Sequence, residues 1–307
     1  MTPSLVRRYP KPSLPLLLTA PTLFVIAALA LYPIAFGIWA GMHQWNWALG
    51  QADNWTFNGI KNYVAVLTDK RFGNSIRVTL YFTVLAVGLE LVIGLGLALL
   101  LASIRRGAWF FRAAIIFPLM ISDIVAGLIA SVLLEPTLGP INALLGGLGL
   151  PRPNWIGDPT LVIPVLAVVD TWWQTGNIVL ILLAGLTSIP TERVEMASLD
   201  GAKGWSMFRY ITLPALMPFL LVALVFRTID ALRVFALAWT ITKGGPSRAS
   251  EVTQFYIYQQ GLGRFFNMGY ASAAASVFAI LIALIAGVYL LFMARARESG
   301  RRKELHS

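Results

Sequence analysis

Six long apolar runs constrain this chain more than any other feature. A hydrocarbon core about 30 Å thick asks for about 20 apolar residues per crossing helix. The runs at roughly 16–42, 78–103, 110–134, 161–187, 210–240 and 268–293 all reach that length. Backbone groups in lipid must be satisfied within the segment, so each run is expected as a helix. The chain is 57% hydrophobic and only 12% charged, whereas soluble domains average about 25% charged. The predicted fold is an all-α membrane protein with six transmembrane helices: an N-terminal segment 1–15, a membrane domain 16–293 and a basic tail 294–307.

Ala28-Leu29-Ala30, downstream of Arg7, Arg8 and Lys11, resembles a signal-peptidase site. The apolar run continues through Ala40, longer than a signal peptide's, so a retained helix is expected. The net charge of +10 does not imply nucleic acid, because the basic residues lie in short segments beside apolar runs. The N-terminus, the 104–112 loop, the 188–211 loop and the tail hold 14 of the 24 lysines and arginines, the opposite loops 8. By the positive-inside rule, both termini and the Glu195 loop face the cytoplasm. Cysteine is absent, and His43 and His306 lie far apart, so neither a thiolate nor a histidine metal cluster is expected.

One polar stretch, Thr191 to Pro218, interrupts the apolar pattern. Thr191 is the expected N-cap, with Glu192 and Glu195 in the first turn. Asp200-Gly201-Ala202 then turns the chain, Gly201 supplying the positive φ. The small Ala197 and Ala202 leave room for a partner, and a second piece from Trp205 through Phe208 and Ile211 to Pro214 completes a short helix-turn-helix at the membrane surface. Without a partner, the same residues describe an amphipathic interfacial helix.

Glu195-Met196-Ala197, Asp200-Gly201-Ala202, Phe208, Ile211, Leu213 and Pro214 resemble the EAA motif of ABC importer permeases in the maltose-type sugar and glycerol-phosphate family. Met196 departs from the family's alanine at the second position of the triplet. Gly59-Ile60-Lys61-Asn62-Tyr63 with Asp69, and Thr242-Lys243-Gly244-Gly245-Pro246, look like the same family's outer-loop signatures. The resemblance implies a multi-pass permease of the bacterial inner membrane, paired with a second, homologous permease. It further implies two copies of an ABC ATPase carrying ATP and magnesium, an extracytoplasmic solute-binding protein, and a sugar or polyol substrate. It makes the 188–211 loop the coupling helix, with Glu195, Met196, Ala197, Asp200, Gly201 and Ala202 meeting the ATPase. The aromatics of the outer loops, Trp45, Trp47, Trp55, Trp155, Tyr256 and Tyr258, suit either an interfacial belt or contact with an extracytoplasmic protein.

Ionisable groups inside apolar runs are costly unless paired or wet. Glu90 and Asp123 read as structural or interface groups. Asp170, Trp173, Gln174 and Asn177 form a pathway candidate, since carboxylates and amides suit sugar hydroxyls and indoles suit the ring's C–H faces. Arg227, Asp230 and Arg233, three apart, allow Asp230 to pair with either arginine, as an ion-pair cluster or as part of the pathway. The two arginines would suit a phosphate, but Asp230 between them favours a neutral substrate. Small residues at Ala271, Ala275, Ala279, Ala283 and Gly287, and at Gly94 and Ala98, read as helix-packing seams. No Gly-Lys dipeptide, H-E-x-x-H or G-x-S-x-G pattern occurs, so an enzyme is not expected of this chain. The rival reading is an ion- or proton-coupled secondary carrier, which would use Asp170 and Asp230.

Overall fold

The computed structural model describes residues 13–50, 55–104 and 106–304, with side chains between 18 and 291. The expectations for Arg7, Arg8, Lys11 and His306, and for the side chains of the basic tail, lie outside the described residues. In chain order the helices are α1 Ser13–Gly41, α2 Lys61–Thr68, α3 Lys70–Ser103, α4 Ala108–Ile116, α5 Asp123–Leu133, α6 Pro140–Gly147, α7 Val162–Thr187, α8 Thr191–Leu199, α9 Trp205–Met207, α10 Leu213–Leu232, α11 Thr253–Tyr258 and α12 Met268–Glu304. Two short strands, β1 His43–Gln44 and β2 Thr56–Phe57, form an antiparallel pair.

Among the described residues, five helices are long and apolar enough to cross a membrane: Leu18–Gly41, Lys70–Ser103, Val162–Thr187, Trp205–Leu232 and Met268–Leu291. The third predicted span is not one helix. It is a pair, Ala108–Met120 and Asp123–Leu133, bent by 96°. Pro118 supplies no amide hydrogen, and a short 3-10 turn covers Phe117–Met120. Ser122 is then extended, and the Asp123 carboxylate accepts the Ile124 N–H at 2.8 Å as a new helix begins. The carbonyl of Ile121, freed at the break, accepts the Trp173 indole N–H at 3.0 Å, so the broken backbone keeps its partners. The fifth span departs as well. Its α-helix stops at Leu232 rather than near 240, and a five-residue π-helical turn, Ala238–Thr242, follows separately.

Two compact units are distinguishable, 1–66 with 260–277 and 67–259 with 278–307. In the first, the Asn62 amide donates to the carbonyls of Gly41 (3.0 Å) and His43 (2.9 Å), and Tyr63 donates its hydroxyl to Ile38 O at 2.9 Å. The Gly59–Tyr63 signature therefore fastens the end of α1, and Trp45 stacks on Trp55 at 4.5 Å between ring centres.

The second unit is built on α3, α7 and α10. Gly94 is what lets α3 meet α7, because a Cβ there would stand 2.7 Å from Ile178 Cγ2. Ala98 is fully buried in the same seam with Leu182. Asp69 caps α3 through the Arg71 N–H at 2.7 Å and accepts the Tyr256 hydroxyl at 2.6 Å. Tyr256 is fully buried, so it belongs to the core and not to an aromatic belt. Trp155 likewise gives its indole N–H to Asn142 at 2.8 Å, while the Asn142 amide holds the Pro136 and Pro153 carbonyls. In the loop before α6 the N–H groups of Leu138 and Thr137 converge on Glu135, with the Thr137 hydroxyl, and hold its carboxyl below the usual range. The small-residue seam of α12 is mostly unspent inside this chain: Ala271 is buried, whereas Ala275, Ala279 and Ala283 are exposed.

Candidate functional site

Three helices meet at one guanidinium. Arg227 on α10 is 4% exposed, Glu90 on α3 is 0% and Asp170 on α7 is 3%. The Arg227 Nη2 donates to Glu90 Oε1 at 2.8 Å and to Asp170 Oδ2, and Nη1 donates to Asp230 Oδ2 at 2.8 Å. Its Nε lies 2.5 Å from Glu90 Oε2 as a charge contact rather than a directed hydrogen bond. One buried cation thus faces three carboxylates drawn from α3, α7 and α10. Burial of charge is costly unless it is paired and hydrogen-bonded, and this arrangement pairs it from three sides. Asp230 is the exception to burial, with 62% of its side chain exposed.

That exposed carboxylate opens onto a cavity of about 500 Å³ lined by Gln174, Asn177, Ile178, Ala223, Phe226 and Asp230. Gln174 and Asn177 share a face of α7, and the Asn177 amide donates to Gln174 Oε1 at 2.5 Å. Phe226 and Asp230, four apart on α10, share the opposing face. Phe226 is 69% exposed. The cavity therefore offers amides, one carboxylate and one aromatic face together. A second, smaller hollow of about 110 Å³ is lined by Asp123, Trp173, Asp230 and Arg233, among others.

The predicted pathway residues thus separate into three settings. Asp170 and Arg227 are buried in the ion cluster. Gln174 and Asn177 line the larger cavity, Trp173 and Arg233 the smaller one, where Asp170 also reaches, and Arg227 and Asp230 border both. Asp230 pairs with Arg227, and Arg233 is exposed with no ion pair among the described residues. Phe226, which sequence reasoning missed, is the aromatic beside the amides. The signal was present as a four-residue spacing to Asp230, but it was masked by the surrounding apolar run. Glu90 reads from the sequence as an ionisable structural or interface group inside an apolar run, yet its partner lies 137 residues away.

The second element is α8. Pro190, not Thr191, stands at its N-cap, and no side chain caps it. The proline ring holds φ at −59° there, and the helix starts one residue earlier than expected. Glu192 alone is acidic in the first turn. At the other end the Ala202 N–H donates to Ala197 O at 2.8 Å and the Gly201 N–H to Ser198 O at 3.1 Å, with Gly201 at φ +84°. These two bonds are the Schellman closure, which requires a left-handed residue where Gly201 sits. Ala197 is buried, 9% exposed, while Met196 is 58% and Leu199 88% exposed. The piece after the turn is not a separate surface helix. Trp205 begins a helix that continues through a π-helical turn, Phe208–Thr212, into α10. Pro214 has no N–H to give the carbonyl four residues before it, and the wider turn there bonds Leu213 N–H to Phe208 O instead.

A polar cavity between the apolar spans α7 and α10, with a tightly closed helix in the polar loop that joins them, fits an α-helical multi-pass membrane permease. Residues 90–299 match the model of the binding-protein-dependent transport system inner membrane component, and the chain belongs to that family. It is 32% identical over 286 residues to the trehalose/maltose transport system permease protein MalF of Thermococcus litoralis, covering 92% of this chain and 94% of the relative. It is 31% identical over 284 residues to the sn-glycerol-3-phosphate transport system permease protein UgpA of Agrobacterium fabrum, covering 91% and 93%. A solved bacterial alginate ABC transporter, in complex with an alginate pentasaccharide-bound periplasmic protein, contains a chain of the same fold. Its TM-score is 0.71 at 26% identity, over 91% of this chain and 92% of that one.

Proposed function

We propose that this chain is one of two permeases in an ATP-driven importer of a sugar or polyol, coupled to its ATPase through α8. The observation that carries the reading is the closed α8 helix, which presents Met196 and Leu199 without a partner in a chain of this family. ATP and magnesium belong to two copies of a partner ATPase. On ATP binding that partner closes, α8 moves as a rigid lever, and the bundle turns outward to receive substrate from an extracytoplasmic binding protein. The named substrates of the relatives, trehalose/maltose and glycerol-3-phosphate, support a polyhydroxylated solute. Gln174, Asn177, Asp230 and Phe226 are the residues assigned to it, amides and carboxylate for hydroxyls and the ring for a C–H face. Both termini and α8 lie on the cytoplasmic side.

The test is purification of the tagged chain from native membranes in mild detergent, with mass spectrometry and an ATPase assay of the eluate. A Walker-A ATPase, a second permease and a binding protein are expected to co-purify with it. A chain recovered alone, without ATPase activity, overturns the reading. Glu195→Lys is expected to lose uptake while retaining the membrane fold, and unchanged uptake with the ATPase still bound removes α8 from the coupling role.

A further inference from the structure

On α3, Lys70, Asn74, Arg77, Tyr81, Val84 and Gly88 follow at three- and four-residue steps, so they share one face. All six are exposed. The polar end of this stripe lies away from α8. Helices α3 and α7 run parallel, with Ala86 and Ala167 in one core cluster and Ala98 and Leu182 in another, and it is Val92–Leu99 that shares a hollow with Trp205 and Phe208. The Asn74 amide donates to the backbone carbonyl of Arg248 at 3.5 Å, which anchors a third exposed basic residue beside the same end. Acids nearby are already spent: Glu251 is held by Arg71 at 2.5 and 2.9 Å, and Asp69 accepts from Arg71 N–H and from Tyr256. Lys70, Arg77 and Arg248 are exposed and have no ion pair among the described residues.

Lys70 and Arg77 lie about 10 Å apart along the helix axis. Arg77 immediately precedes the apolar run, at the depth where a long cationic side chain reaches up to lipid phosphate. Below it, Tyr81 and Val84 are 51% and 73% exposed, and a Cβ at Gly88 would meet nothing within 4 Å. A cationic end continuous with a smooth apolar track matches an amphiphile with an anionic head and a long chain. An acidic water-soluble protein would cover only the head of the stripe. We propose that this face of α3 holds an anionic phospholipid, its phosphate against Lys70, Arg77 and Arg248 and an acyl chain along Tyr81, Val84 and Gly88. The assignment rests on the membrane fold, and its leaflet, the outer one, on the orientation proposed above.

The test is native mass spectrometry of the full chain in non-ionic detergent, titrated with dioleoyl phosphatidylglycerol or dioleoyl phosphatidylcholine. Phosphatidylglycerol is expected to be retained preferentially. K70Q/R77Q/R248Q is expected to lower its affinity by roughly fivefold per cation while leaving phosphatidylcholine unchanged. R248Q, in a loop, gives the single-cation step should the triple variant not yield monodisperse protein. Gly88→Phe, which fills the track, is expected to weaken both lipids. Equal retention of the two lipids by the unsubstituted chain overturns the proposal. So does a phosphatidylglycerol preference that survives loss of all three cations. No step of this measurement uses transport, so its failure is distinct from failure of the importer reading.

Discussion

Arg227 shows what a single residue decides in this protein. Its guanidinium is the only cation in contact with Glu90 and Asp170 among the described residues. Removing it leaves two buried carboxylates without a counter-charge, a loss on the order of 3–5 kcal/mol. Arg227→Met is therefore expected to lower the thermal stability of the detergent-purified chain sharply, read by size-exclusion fluorescence after heating. Combining it with Glu90→Met and Asp170→Leu is expected to recover much of that loss, because an apolar replacement of the whole cluster removes the desolvation cost too. If the triple variant is as unstable as the single one, the cluster is more than an ion-pair staple. Asp230→Asn tests the exposed partner: the melting temperature is expected to stay within a few degrees while uptake falls, and unchanged uptake would remove Asp230 from the pathway. The sequence exposed these residues as costly ions inside apolar runs, but the choice of partners was not legible from spacing. Arg233, three residues from Asp230, pairs with nothing described, whereas Glu90 on another helix pairs fully.

At the scale of elements, glycine placement separates contact from turn. Gly94→Leu is expected to force α3 off Ile178 and lower stability, while Gly96→Leu, where a Cβ meets nothing within 4 Å, is expected to change little. Comparable melting of the two variants would show that the α3–α7 contact is not limiting. Gly201→Val is expected to strain the left-handed closure of α8 by roughly 1–2 kcal/mol, with circular dichroism of the membrane helices unchanged and uptake lost. Retained uptake would mean that the closure is not needed for coupling. The apolar spans of α3, α7 and α12 were legible because lipid demands uninterrupted length. The 96° break before Asp123 was not, because its residues are nearly as apolar as a continuous span. Pro118 marked the position, yet proline alone permits either a kink or a break, and the Trp173–Ile121 bond that accepts the break is tertiary.

For the whole molecule, the absence of cysteine makes sidedness directly measurable. Ser198→Cys and Ser247→Cys are each expected to react with a membrane-impermeant maleimide from one face only: Ser247→Cys in intact spheroplasts, Ser198→Cys in inverted vesicles. Labelling of both from the same side contradicts the proposed orientation. The exposed Ala275, Ala279 and Ala283 on α12 belong to this scale also, since a seam of small residues is useful only to a helix that packs against it, and among the described residues these three stand uncovered.

What the sequence determined by itself was the set of forces that act along the chain: apolar lengths that span a bilayer, basic loops from which its sidedness is proposed, and a glycine that must turn where Asp200 and Ala202 flank it. Those are local, and a window of residues carries them. Tertiary structure alone decided which carboxylates meet Arg227, that Phe226 rather than Trp173 faces the amides, and that Ala197 turns inward while Leu199 turns out. Each of those outcomes depends on the angle at which one helix crosses another, and that angle is fixed by close contacts such as Gly94 on Ile178, summed over partners far apart in the chain.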